Sequence, residues 1–169
     1  MATNTVVRKV GVLPNPHWVT FTADGKTAYI ANHESNVVSV MDTSSNEVVT
    51  TIPVGTSPHS VAVSPDGKVV AVVCFQSNDL YFIDAATNTV AGTVGLGTNP
   101  QDVAFSPDGH YLYTANVESD TVSVVDSETR LITATLPIDS PTSIALTPDG
   151  RKAYVTNLDA GTLTVLSTS

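Results

Sequence analysis

The sequence repeats itself four times. Pro100–Asp126 reads PQDVAFSPDGHYLYTANVESDTVSVVD, and Pro58–Asp84 reads PHSVAVSPDGKVVAVVCFQSNDLYFID. Pro16–Asp42 reads PHWVTFTADGKTAYIANHESNVVSVMD, and the stretch from Pro141 reads PTSIALTPDGRKAYVTNLDAGTLTVLS. The leading prolines Pro16, Pro58, Pro100 and Pro141 set a period of about 42 residues, the length of one four-stranded blade of a β-propeller. The expected fold is therefore all-β, with four such blades in one domain.

Each repeat divides into four strands. The inner strand is a short run apolar on successive residues, such as Val103-Ala104-Phe105, as expected of a strand covered on both faces. A turn follows: Ser64-Pro65-Asp66-Gly67, Ser106-Pro107-Asp108-Gly109 or Thr147-Pro148-Asp149-Gly150. Proline presets φ in such a turn and glycine takes the positive φ after it. The second strand spans Thr27–Asn32, Tyr111–Asn116 and Lys152–Asn157, and the third is Thr121–Asp126. The third ends on an aspartate, Asp42, Asp84 or Asp126, whose carboxylate can accept the amides of the next turn. Glu47–Ile52, Thr89–Val94 and Leu131–Leu136 supply the outer strand, and no helix is expected.

Residues 1–15 read as the end of a repeat. Their opening ATNTV recurs at Ala86–Val90, inside the outer strand of another blade. The expected division is residues 1–15 as outer strand of the last blade, then blades at 16–57, 58–99 and 100–140, with the inner three strands of the fourth at 141–169. Pairing of residues 1–15 with that last blade would remove an open edge. Two architectures meet this condition. One is a closed four-bladed monomer. The other, preferred, is a homodimer in which two chains exchange residues 1–15 and form one eight-bladed ring. A four-bladed ring needs strongly wedge-shaped blades, and these repeats carry Val, Ile, Leu or Phe near the inner strand with only 6% aromatics overall.

The strings Tyr29-Ile30-Ala31-Asn32, Tyr113-Thr114-Ala115-Asn116 and Tyr154-Val155-Thr156-Asn157, with the Asp-Gly turns, resemble the YVTN family of β-propeller repeats along the whole chain. The resemblance implies a propeller of the kind found in surface-layer and secreted bacterial and archaeal proteins. Such rings usually hold about seven blades. Some relatives in the wider propeller group hydrolyse lactones or hold redox cofactors.

Charge narrows the partners. With 16 acidic against 7 basic residues the net charge is −9, which disfavours nucleic acid and anionic lipid. The leader MATNTVVRKVGVLPNP has no apolar run long enough for a signal sequence or a membrane span, so the chain as given reads as cytoplasmic. A secreted or cell-surface domain freed of its signal would look the same. Cys74 is the sole cysteine, so no disulfide forms within one chain.

Function should sit where repeats differ at one end of the ring. The position after the repeat proline is His17, His59, Gln101 and Thr142, and the position closing the second strand is Asn32, Cys74, Asn116 and Asn157. All are candidate ligand-binding positions except Cys74, which is a candidate nucleophile with His59 as its base. The other reading of Cys74 is a buried small thiol. His17 and His59 are candidate ligands for a divalent metal, to which Asp102 and His33 could add. The plain alternative is imidazoles bonded to nearby backbone. Trp18, the single tryptophan, is either a binding anchor or packing between blades.

Three functions remain open from these residues: a non-catalytic binding or scaffold module for a protein or small molecule, a lactonase-like hydrolase or lyase, and a minimal or engineered repeat assembly. No phosphate-binding glycine loop, His-Glu-x-x-His or Gly-x-Ser-x-Gly string is present. The first function is preferred for that reason.

Overall fold

A computed structural model describes residues 4–168; the first three residues of the expected outer strand and the final serine lie outside the described residues. The chain folds as β1 (Pro16–Phe21), β2 (Thr27–Asn32), β3 (Val37–Asp42), β4 (Glu47–Pro53), β5 (Pro58–Val63), β6 (Val69–Cys74), β7 (Asp79–Asp84), β8 (Thr89–Gly95), β9 (Pro100–Phe105), β10 (Tyr111–Asn116), β11 (Thr121–Asp126), β12 (Ile132–Pro137), β13 (Pro141–Leu146), β14 (Lys152–Asn157) and β15 (Thr162–Ser167). Val117–Ser119 makes one 3-10 turn. Three sheets hold four antiparallel strands in chain order, and β13–β15 form a sheet of three.

The turns form for the reasons their residues give. In the Ser64–Gly67 turn the Ser64 hydroxyl donates to Asp66 Oδ1 at 2.7 Å, and the Lys68 amide donates to the same oxygen at 3.1 Å. Gly67 sits at φ 73°, which any Cβ would resist. At the end of β7, Asp84 Oδ1 accepts the Thr87 amide at 2.8 Å and the Thr87 hydroxyl at 2.9 Å. These bonds, the amide's first, hold the Asp84 carboxyl below its ordinary range.

Blades stack through their inner strands, β1 on β5, β5 on β9 and β9 on β13. Each junction is apolar. Val38 and Val40 meet Val61 and Val70; Leu80 and Phe82 meet Val103 and Leu112; Val122 and Val124 meet Ile144 and Val155. Burying each large side chain contributes about 1.5–3 kcal/mol.

The single chain departs from expectation at its N-terminal segment. Residues 4–15 form no strand. The Arg8 guanidinium donates to the Ser45 carbonyl at 2.9 Å, Asn15 donates to Glu34 Oε1 at 3.3 Å, and the Asn15 carbonyl accepts the His33 amide at 2.9 Å. All three contacts lie on the first blade, so the segment does not complete the β13–β15 sheet of its own chain. The outward faces of β1 and β15 both stay exposed, which leaves the blades as an open row and not a closed four-bladed ring. The cause is geometric: the segment runs directly into β1, at the far end of the row from β15.

Candidate functional site: an imidazole cluster on the first two blades

Each inner strand carries a bulge just after its proline. Pro16, Pro58, Pro100 and Pro141 pair opposite Asn32, Cys74, Asn116 and Asn157, and pairing resumes at Trp18, Ser60, Asp102 and Ser143. The skipped residues are His17, His59, Gln101 and Thr142. A bulge frees its extra residue from the pleat and re-aims the side chain.

On the first two blades this brings rings together. The His17 and His59 ring centroids lie 3.9 Å apart, and His33 lies 5.7 Å from His17 and 6.0 Å from His59. Phe75 stacks on His59 at 5.5 Å with 26° between planes. His17 Nδ1 contacts the His59 carbonyl at 3.2 Å, and His59 Nδ1 contacts the Gln101 carbonyl at 2.7 Å. A carbonyl only accepts, so both Nδ1 atoms carry the proton. In the neutral rings Nε2 is then the bare lone pair.

Burial first, then the neighbouring His17 and His33, pushes the His59 pKa down, against the opposing pull of the Gln101 carbonyl and Asp102. The unfolded ring, at about 6.5, binds its proton at higher pH than the folded one. Stability is therefore fully held above the unfolded value and is lost as pH falls through it toward the lowered folded value. Thermal melts from pH 8 to pH 5 should show the midpoint falling over that interval. His59→Gln should flatten the fall, and an unchanged slope in that variant would rule out this origin.

The remaining polar candidates are tied into local hydrogen bonds. Asn32 Nδ2 donates to the Ile30 carbonyl at 3.1 Å and to Ser39 Oγ at 2.9 Å; Asn116 Nδ2 donates to Ser123 Oγ at 2.9 Å; Asn157 Nδ2 donates to the Asp139 carbonyl at 2.8 Å. These asparagines are buried, and their amides bond neighbouring strands and linkers. Asn32 Oδ1 lacks a partner because Ile30 stands where Thr114 donates its hydroxyl to Asn116 Oδ1. Asp102 is likewise consumed, its two oxygens accepting from Ser60, Val103, Ser143 and Ile144. The Thr142 hydroxyl bonds Thr156 at 2.8 Å.

Cys74 lies wholly inside the core between the first two blades, and burial pushes its thiol up to about 12. A shielded thiol that stays protonated at neutral pH presents no nucleophile. Trp18 stands half exposed beside Ala31, on the face of β1 that turns toward the second blade. Among the described residues no group of three His, Cys, Asp or Glu side chains is disposed to hold a metal ion.

Phe75 joins the cluster, its ring 6.4 Å from that of His33. Its signal is positional: it follows Cys74 as His33 follows Asn32, so both rings top the same loop on adjacent blades. A cleft of about 370 Å³ elsewhere is lined by Tyr111, Tyr113, Val124, Ala134 and Leu136.

Successive four-stranded antiparallel sheets stacked through their first strands define a β-propeller-like protein. The solved structure of Kuenenia stuttgartiensis hydrazine synthase is similar to it, with a TM-score of 0.87 and 22% identity over 99% of this chain. This chain spans 49% of the length of that one, and at this identity the likeness concerns the fold. No family model matches the chain, and no curated protein matches it. Among the described residues no helix is long and apolar enough to cross a membrane.

Proposed function

We propose that the chain is a non-catalytic propeller module, of the YVTN type its repeats resemble, that binds a ligand over the imidazole and phenyl cluster of the first two blades. One observation carries the reading: His17, His33, His59 and Phe75 converge from two blades, with ring centroids in contact 3.9 to 6.4 Å apart. The corresponding positions on the third and fourth blades hold Gln101, Val117, Thr142 and Leu158, which form no such cluster. Repeats that are otherwise alike spend their differences on recognition. The cluster offers flat rings for stacking and bare Nε2 atoms as acceptors, which suits an aromatic or hydrogen-bond-donating ligand. A Cys74–His59 hydrolase has no support here, since the thiol is enclosed and protonated.

The test is a fragment screen read by amide shifts of the isotope-labelled chain. Aromatic donors should move the amides of His33, Phe75 and Gln101, and His17→Ala with His59→Ala should weaken those fragments at least tenfold. Fragments that settle elsewhere, or bind the double variant equally, would remove the reading. Ester or lactone turnover that depends on His59 would replace it with a hydrolase.

A further inference from the structure

The two end faces of the row are counterparts. On the face of each blade that meets the next one, Val38 and Val40, Leu80 and Phe82, and Val122 and Val124 are 0–9% exposed. Their equivalents on the fourth blade, Leu163 and Val165, are 54% and 51% exposed. On the opposite face Val61, Val103 and Ile144 are 1–4% exposed, while their equivalent Val19 is 52% exposed. The fourth blade thus lacks the surface that the first blade bares, and the first lacks what the fourth bares. Such a face needs an occupant.

A second feature points to the same occupant. In the three complete blades the third and fourth strands join through one apolar cross-strand pair: Val38 with Ile52, Leu80 with Val94, Val122 with Leu136. On β15 Leu163 holds the first place of that pair and, among the described residues, has no fourth strand beside it. The string ATNTVVRKVG at residues 2–11 matches ATNTVAGTVG at residues 86–95, which places Val10 where Val94 stands. In the single chain Val6 and Val7 of that segment are 83% and 91% exposed.

We propose that the occupant is a second copy of this chain: residues 5–11 of each copy add a fourth strand to β15 of the other, and the two rows close as one eight-bladed ring. The β7–β8 pairing carries over position by position. It sets Gly11 of the partner subunit opposite Thr162, Val10 of the partner subunit opposite Leu163, Lys9 of the partner subunit opposite Thr164 and Arg8 of the partner subunit opposite Val165. The exposed faces of Val19 and Leu163 then pack as Val61 packs on Val38 at the first junction. The seam differs from the internal junctions in one respect. Asn36, Asn78 and Asp120 each accept an amide of the following linker, at 3.0, 2.8 and 2.8 Å, whereas Gly161 holds that place on the fourth blade. The seam is therefore the weakest junction of the ring, and it opens first on dilution.

Paired cysteines test both register and partner. Val10→Cys with Leu163→Cys, and separately Lys9→Cys with Thr164→Cys, are oxidised under mild conditions. Adjacent antiparallel pairs alternate between hydrogen-bonded and non-hydrogen-bonded, so one of the two sets has the closer geometry for a disulfide. Cys74, buried, stays out of the reaction. A covalent dimer as the sole product, doubly bridged, is the expected result. Bridges within one chain, or a ladder of higher oligomers, would overturn the proposal in favour of a closed monomer or an open fibre. Val165→Asp gives a second reading without cysteines: the solution mass should fall from two chains to one with the circular dichroism unchanged. A wild-type chain that stays monomeric at millimolar concentration would equally overturn the ring.

Discussion

Replacing Asp102 with alanine should lower the unfolding free energy by about 3–5 kcal/mol, a large share of the roughly 5–15 kcal/mol that holds a domain of this kind. The reason is the number of donors that one carboxylate satisfies. Asp102 Oδ1 accepts the Ser60 hydroxyl at 2.8 Å and the Val103 amide at 2.9 Å, and Oδ2 accepts the Ser143 hydroxyl at 2.9 Å and the Ile144 amide at 3.0 Å. These donors belong to the inner strands of the second, third and fourth blades. Bonds to a charged acceptor are worth about 1.5–3 kcal/mol each, but the four share one group and do not add. Alanine would leave the Ile144 and Val103 amides and the Ser60 hydroxyl without this acceptor in a buried setting. Asparagine keeps the size yet turns an amino group toward donors, so Asp102→Asn should still cost about 2 kcal/mol. Chemical denaturation of both variants checks this. An Asp102→Asn midpoint equal to the wild type would mean that the carboxylate's charge and second acceptor oxygen contribute nothing to stability here.

The repeat made the blades legible almost to the residue. β2, β10, β11 and β14 begin and end where alternation and the closing Asn or Asp place them, because those residues are bound by local hydrogen bonds that sequence displays directly. The candidate site was legible only in part. Aligned positions identify His17, His59, Gln101 and Thr142 as equivalent, yet alignment does not say which way a side chain points. The bulge decides that, and it depends on pairing with a strand some fifteen residues away. Asn32, Asn116 and Asn157 show a second thing that alignment does not display. They sit at the right height for a ring of ligands, but their neighbours Ser39, Ser123 and Thr164 supply hydroxyls that draw the amides into the sheet. Closure lay furthest from reach, since in the single chain the segment that resembles an outer strand bonds to the first blade and not to the edge of β15.

A matched pair of substitutions separates the interior junctions from the ends. Phe82 and Val165 occupy the same place in their repeats, and Phe82 is buried between the second and third blades with the Arg130 guanidinium 5.6 Å from its ring centroid. Phe82→Ala removes a large side chain from a packed junction and should cost about 3–5 kcal/mol, lost transfer energy and residual cavity together. Val165→Ala in dilute solution should change stability by no more than about 0.5 kcal/mol, because the side chain is already half in water. Equal losses at the two sites would mean that the end face is covered in the single chain. As protein concentration rises the second value should grow, since a residue at an association surface is felt in proportion to the associated fraction. Phe82→Ala should show no such dependence beyond that of the wild type. The concentration at which the Val165 penalty appears then measures the strength of the seam, and a penalty that never appears at any concentration would place both end faces permanently in solvent.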